Sequence, residues 1–340
     1  MKKSVGKTAK AIIAAVIVIA IIGTVFTYRL YSREFSSSFT AMDTYITLKA
    51  KGVGCNGTLD EVENFVKDYS DNVLSRHIKT SEVSKINANG GGAFSSGISD
   101  YFDLLLEISK ESDGAFDFTL GALSDLWGIG TENAKVPTDK EIKSVLSCAG
   151  VDKISYKNGK ISIPKGMSID FGAAGKGMAL DEIKTKYLEK SKISRAVFSL
   201  GGSILLYSTK ENDTFTVGIR NPDESNDYMA VLTVNEGCVS TSGSYERYFE
   251  EDGVRYHHIF DPKTGYPAQS GLVSVTIYSE SGTVSDALST ACFVLGAEKG
   301  AALAKKYNCE AVFIDTEGFV TVTDGLKDKI EITNDNYTLR

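Results

Sequence analysis

Four short stretches of the chain carry residue types that can do chemistry. In "SDALSTACFVL", Asp286 and Thr290 stand four residues apart, so a helix puts both on one face. A carboxylate and a hydroxyl so placed can hold a hard cation such as Mg2+ through oxygen. The same pair would also serve an ordinary helix, the acid near the N-terminal dipole and the threonine bonded back to its own backbone. "YHHIFDPKTGYPAQS" holds two of the chain's three histidines. His258 in it can act as a general base near neutral pH, or can be a surface histidine on an edge strand. "SDGAFDFTLGALSDLWGIG" sets Asp117 among apolar neighbours between Gly114 and Gly121, which mark turns; a loop packed by aromatics would read the same way.

The fourth stretch, "SIDFGAAGKGMALDEI" at 168–183, puts glycines and a lysine behind an aspartate and ahead of a helical pattern. It is not a P-loop, because only two residues separate Gly172 from Gly175-Lys176 and Gly177 follows the lysine. It is not the dinucleotide fingerprint either, since Leu180 stands where the last glycine belongs. Gly172 through Gly177 let backbone approach a ligand closely, carbonyls there can complete a metal shell, and Lys176 can offset phosphate charge. A helix N-terminus with glycines for tight packing is the alternative.

The elements that position these residues follow from patterning. "MKKSVGKTAK" (1–10) carries four lysines and no acid, and an apolar run fills 11–28. That run is long enough to span a bilayer, and its basic flank predicts a cytoplasmic N-terminus with the rest exported. A single-pass signal anchor in the cell membrane is the expectation, with a polar linker over 29–38 and an extracytoplasmic domain over 39–340. No A-x-A-like cleavage site follows the run. The net charge of −7 gives no support to a nucleic-acid partner. Five scattered cysteines without a C-x-x-C pair signal neither zinc nor thioredoxin-type chemistry and read as buried free thiols.

Helical spacing marks 58–76, 98–112, 138–148, the stretch after Gly177, and one long helix from Val284 to Tyr307. "KISYKNGKISIP" reads as a hairpin about Asn-Gly, and strands dominate from "RAVFSLGGSILLYS" to "LVSVTIYS". The mixed order is α+β, mixed sheets with packed helices, without regular βαβ alternation.

The motifs "AMDT", "GAFDFTLG…LWGIG", "IDFGAAGKGMALDE", "LGG", "STSGSYERYF", "HIFDPKTGYP" and "SDALSTACFVLGAEKG" occur in that order from about Phe39 to Thr323. Together they resemble the ApbE family of FAD:protein FMN transferases. The resemblance implies a T-fold-type flavin transferase that cleaves the pyrophosphate of FAD, transfers FMN to a Ser or Thr of a partner protein, and releases AMP. It implies Mg2+ held by Asp286, Thr290 and the carbonyl of Ala173. It implies FAD contacts at Met42, His77, Ala115, Phe116, Asp117, Asp170, Lys176, Phe260 and Ser289, and His258 as the group that activates the acceptor hydroxyl. The implied acceptor is an exported electron-transport flavoprotein with a Ser/Thr flavinylation motif. The chain departs from its resemblance at His77, where some relatives carry Tyr, and at Asp43, where A-M-G-T is commoner. Lys176 also varies among relatives. An FAD pyrophosphatase giving FMN and AMP, or a non-catalytic flavin-binding protein, are the competing readings.

Overall fold

The computed structural model describes residues 6–223 and 227–340, and within its first helix the side chains of residues 10–24. That helix, α1 (Lys7–Ser32), shows apolar side chains around its described surface, with Ile12, Val16 and Ile22 each 60–61% exposed. Among the described residues no helix is long and apolar enough to cross a membrane.

The expected linker ends early. Residues 34–38 belong to β1 (Glu34–Ala41), which pairs antiparallel with β2 (Thr44–Val53). The hairpin turn is Met42-Asp43, and both residues take left-handed φ, 52° and 54°. Two-residue turns of this hand match the twist of paired strands.

The chain continues through α2 (Cys55–Asp68), a π-helical turn over Tyr69–Leu74, α3 (Glu82–Asn89), β3 (Gly91–Ala93), α4 (Ser96–Glu111), α5 (Gly121–Trp127) and α6 (Asp139–Leu146). Thr138 and Glu141 form a reciprocal capping box at the start of α6. The hairpin β4 (Ser155–Lys157) and β5 (Lys160–Ser162) turns at Asn158-Gly159 as expected, both at positive φ. Next come α7 (Gly175–Ile183), β6 (Lys192–Leu200), β7 (Ser203–Ser208), β8 (Phe215–Arg220), β9 (Tyr228–Val234), β10 (Gly237–Gly243), β11 (Tyr248–Glu251), β12 (Val254–His257) and β13 (Leu272–Ser279). The long helix expected after it is two, α8 (Gly282–Leu295) and α9 (Ala297–Lys306). Gly296, at φ 81°, breaks the run. The chain closes with β14 (Glu310–Asp315), β15 (Phe319–Val322), β16 (Ile330–Ile332) and β17 (Thr338–Leu339).

One nine-stranded sheet, ordered β1-β2-β6-β7-β10-β13-β14-β15-β17, organises the molecule. Its neighbours pair antiparallel except β15 and β17. Alternation along each strand builds two cores. Leu205, Cys238 and Phe313 join the helical side with Leu288 and Ala291 of α8, while their neighbours Leu206, Val239 and Val312 meet Phe215, Val217 and Leu232 of the β16-β9-β8 sheet. Each fully buried side chain of this kind is worth about 1.5–3 kcal/mol. A smaller cluster joins Trp127, Leu123, Ile142 and Phe260, with the indole N–H donating to the Gly265 carbonyl at 2.9 Å. All five cysteines are free thiols, four of them buried. The architecture is thus mixed α+β, with helices on one face of the large sheet and a small sheet on the other.

Candidate active site

The glycine-rich stretch is where the pieces meet. Segment 118–121 runs beside 168–170: Asp170 N–H donates to the Phe118 carbonyl at 2.8 Å, and Gly121 N–H to that of Ser168 at 2.9 Å. "MSIDF" therefore forms an isolated bridge, Leu120 with Ser168. Asp170 accepts from Gly172 N–H at 2.8 Å and from Arg76 Nε at 2.8 Å, and Arg76 also holds Asp125. Nothing in the sequence around Arg76 marks it, because its partner Asp170 lies 94 residues away. His77 beside it is exposed. Asp117, half-buried, accepts from Thr119 N–H and Oγ1 at 2.8 and 2.6 Å. Loss of solvent nevertheless pushes its carboxyl upward. The Phe116 ring is sealed in the core and Ala115 is buried, so Phe116 offers a ligand only its backbone.

From Asp170 the stretch reaches the crossing of α7 and α8. Gly177 and Gly282 touch backbone to backbone there: a Cβ on Gly177 would collide with the Gly282 carbonyl and stand 2.7 Å from Asp286 Cβ. The close approach lets Asp286, 4% exposed, accept from Gly177 N–H at 3.0 Å through Oδ2. Its Oδ1 accepts from Ser203 Oγ at 2.8 Å and lies 3.6 Å from the Lys176 ammonium. Thr290, one turn on, meets Ser242 Oγ at 3.2 Å, and Ser242 also pairs with Ser289 at 2.7 Å. Ser289 is fully buried and donates to the Asp286 carbonyl at 2.8 Å. Neither Ser203 nor Ser242 was expected in this cluster, although Ser242 lies within the motif "STSGSYERYF".

This donor set suits a hard cation. It is all oxygen, and each carboxylate oxygen of Asp286 retains acceptor capacity beyond the bonds above. Lys176 shows that a positive charge is accommodated beside it. Among the described residues no group of three His, Cys, Asp or Glu could hold a metal. A cation here would therefore rest on one carboxylate, neutral oxygens and waters that it keeps, as Mg2+ commonly does.

The hairpin turn and the β11–β12 region close the site. Met42 N–H donates to Ser70 Oγ at 3.3 Å, and a Cβ on Gly175 would lie 3.8 Å from Met42 Cε. Arg247 donates to the Asp43 carbonyl at 3.2 Å. In turn, the Arg247 carbonyl accepts from His258 N–H at 3.1 Å and faces His258 Nδ1 at 3.2 Å. A carbonyl only accepts, so Nδ1 carries the proton and Nε2 keeps a free lone pair. Desolvation, then the Arg247 guanidinium, hold the His258 pKa down at about 4, and Lys176 adds to the effect.

His257 is differently employed. It is buried, Nε2 faces the Ala268 carbonyl at 3.1 Å, Nδ1 accepts from Ile259 N–H at 3.3 Å, and burial lowers its pKa. Both ring nitrogens are committed to structure. His258 does not lie on an edge strand: β12 ends at His257 and His258 sits in a bend. Phe260 pairs with Pro267 in an isolated bridge, and its ring packs 5.8 Å from Trp127. Met42, Ala173, Lys176, His258 and Asp286 thus surround the start of α7, whereas Asp170 lies at the other end of the stretch on Arg76, with His77 next to Arg76 in the chain. Two surface cavities of about 290 and 250 Å3 lie elsewhere, around Lys85 and Lys210. The site is identified by its groups.

Comparison with known proteins gives one answer. The ApbE family pattern matches residues 42–313. The FAD:protein FMN transferase of Treponema pallidum is 33% identical over 333 residues, spanning 92% of this chain and 91% of that protein. One from Klebsiella pneumoniae is 32% identical over 292 residues, 83% of this chain and 90% of the relative. The crystal structure of an ApbE protein from Thermotoga maritima has a TM-score of 0.78 at 28% identity, covering 86% of this chain and 98% of that one. A family pattern that takes in the Met42 turn, the glycine-rich stretch, His258 and the Asp286 helix, and relatives alike over nearly the whole length, lead to one conclusion: the chain belongs to the ApbE family.

Proposed function

We propose that this protein transfers FMN from FAD to a Ser or Thr hydroxyl of an acceptor protein and releases AMP, with Mg2+ bound. The observation that carries the proposal is His258, its Nδ1 facing the Arg247 carbonyl, so that Nε2 keeps its lone pair, and its ring near enough to Lys176 to feel that charge. Asp286, Thr290 and the Ala173 carbonyl would hold the metal. When bound, it would offset charge developing on the pyrophosphate.

The remaining work falls to the chain itself. His258 Nε2 takes the proton of the acceptor hydroxyl as that oxygen bonds to the FMN phosphorus. The bond from that phosphorus to the bridging oxygen breaks, and the oxygen leaves with the electron pair as part of AMP. Lys176 is placed to balance phosphate charge without itself reacting. A binding protein would gain nothing from an imidazole whose free nitrogen is kept unprotonated above about pH 4.

Incubating the protein with FAD, Mg2+ and a candidate acceptor, an exported electron-transport flavoprotein, tests the reading by mass spectrometry. The expected product is acceptor heavier by one FMN less one water, with AMP released in equal amount. FMN and AMP with unmodified acceptor would make the protein a pyrophosphatase, and intact FAD would make it a binder.

The same proposal keeps residues 1–10 cytoplasmic, 11–28 across the cell membrane, and the transferase domain outside. Its support is the lysine-flanked apolar sequence and the outward-facing isoleucines and valines of α1. The protein is expected to stay with membranes after carbonate washing, and protease added outside is expected to digest the domain. A soluble mature chain beginning after residue 28 would replace the anchor with a cleaved leader.

A further inference from the structure

The crossing of α7 and α8 is built from two copies of one unit. Gly177 is followed four residues later by Asp181, and Gly282 four residues later by Asp286. Each glycine sits at the contact, and each aspartate projects from the same face as its own glycine. The hydrogen bonds are exchanged between helices: Asp286 of α8 accepts from Gly177 N–H at 3.0 Å, and Asp181 of α7 accepts from Gly282 N–H at 2.6 Å. Each helix therefore caps the other.

The two aspartates differ in what else they meet. Asp286 faces Lys176 and Ser203, in the oxygen-rich cluster. Asp181 spends its other capacity on the start of α8, accepting from Ser281 Oγ at 2.8 Å, Thr283 N–H at 2.8 Å and Thr283 Oγ1 at 2.7 Å. Ser281 Oγ accepts in turn from Val284 N–H at 3.3 Å, so the first three N–H groups of α8 all have partners. No side chain caps α7 from within its own segment, and Asp286 fills that role.

We propose that Asp181 is a positioning residue for the metal site: by clamping the first turn of α8 onto α7, it fixes where Asp286 presents its carboxylate. The inference rests on the metal site proposed above and adds a residue to it. Asp286 lies one turn beyond the clamp, and its rotation about the α8 axis is set by the helix start. Without Asp181 the first turn of α8 loses four hydrogen bonds, and of the exchanged pair only the Gly177–Asp286 bond remains. Partners that orient metal ligands from outside the coordination shell typically change affinity 10–100-fold when removed.

The test measures Mn2+ binding by electron paramagnetic resonance on the full chain without FAD. It compares wild type, Asp181→Ala, Asp181→Asn, and Thr138→Ala in the α6 capping box as a control for lost stability. Asp181→Ala is expected to weaken Mn2+ binding by about tenfold or more, and Asp181→Asn, which keeps an acceptor oxygen, by less. Thr138→Ala should lower the melting temperature and leave Mn2+ binding at the wild-type value. In FAD cleavage the Asp181 variants should need more Mg2+ and recover most of kcat at saturation. Asp181→Ala that binds Mn2+ as wild type does would overturn the proposal. If the alanine variant does not fold, wild-type Mn2+ binding by Asp181→Asn would overturn it in the same way. Absence of Mn2+ binding in the wild type would instead overturn the metal site itself.

Discussion

Asp286→Ala is expected to lower FAD cleavage by about three orders of magnitude or more, the largest effect of any single change here. The variant removes the carboxylate that meets Ser203 and Lys176, and it takes from the Lys176 ammonium its ion-pair partner. It also removes the acceptor for Gly177 N–H, so loss of activity alone would not separate charge from architecture. Asp286→Asn makes the separation. The amide keeps an oxygen for Gly177 N–H but carries no charge, so it should fold like wild type and remain inactive. EDTA should reproduce the defect in the wild type, and added Mg2+ should reverse it. Full activity in EDTA, or an active Asp286→Asn, would remove the metal from the mechanism.

Asp286 also marks where the sequence stops being legible. Periodicity placed Asp286 and Thr290 correctly on one helix face, and an acid near a helix start suggested service to its own dipole. Asp286 instead serves the N-terminus of α7, 109 residues earlier, and α8 is served by Asp181. No local pattern encodes an exchange of caps between helices. Arg76 is hidden for the same reason, as its meaning lies wholly in Asp170 and Asp125. Features whose cause is local were legible: the Asn158-Gly159 turn needs two left-handed residues, and the helical spacing over 98–112 becomes α4, whose Leu105 and Ile108 are buried while Tyr101 and Leu104 are only partly so. The serines of 34–38 resemble a linker because their polarity hides the alternation that pairing with β2 imposes. The split at Gly296 is masked because the apolar pattern continues on both sides of it. The ordered motifs carried the family, because they sample separate segments that the fold brings near α7 and α8.

His258→Asn is expected to leave FAD binding intact while flavin transfer falls by about 10²–10⁴-fold, the usual worth of general-base assistance. The asparagine can still reach the Arg247 carbonyl, so the bend at 258 should survive and only the lone pair on Nε2 is lost. His257→Asn makes the opposite prediction. It breaks hydrogen bonds to Ala268 and Ile259 in a buried setting, which costs about 1–3 kcal/mol of stability, but it touches no reacting atom. The pH profile supplies an independent check. Because the His258 pKa is lowered to about 4, the neutral base persists well below the ~6.5 of a free imidazole. The acid limb of kcat/KM, which reports the free enzyme, should therefore fall near pH 4. Pyrophosphate bound as proposed would bring negative charge near Lys176, one of the cations that help hold that pKa down, so the limb in kcat should lie higher. Stability follows with the opposite demand. The unfolded chain takes up the His258 proton first, so this group's contribution is complete above about pH 6.5 and is lost as pH falls toward 4. Flavin fluorescence for affinity, in-gel fluorescence of the acceptor for transfer, and thermal melting for stability distinguish the two histidines. A dead His257→Asn with wild-type stability, or a His258→Asn that transfers flavin at the wild-type rate, would move the base elsewhere in the site.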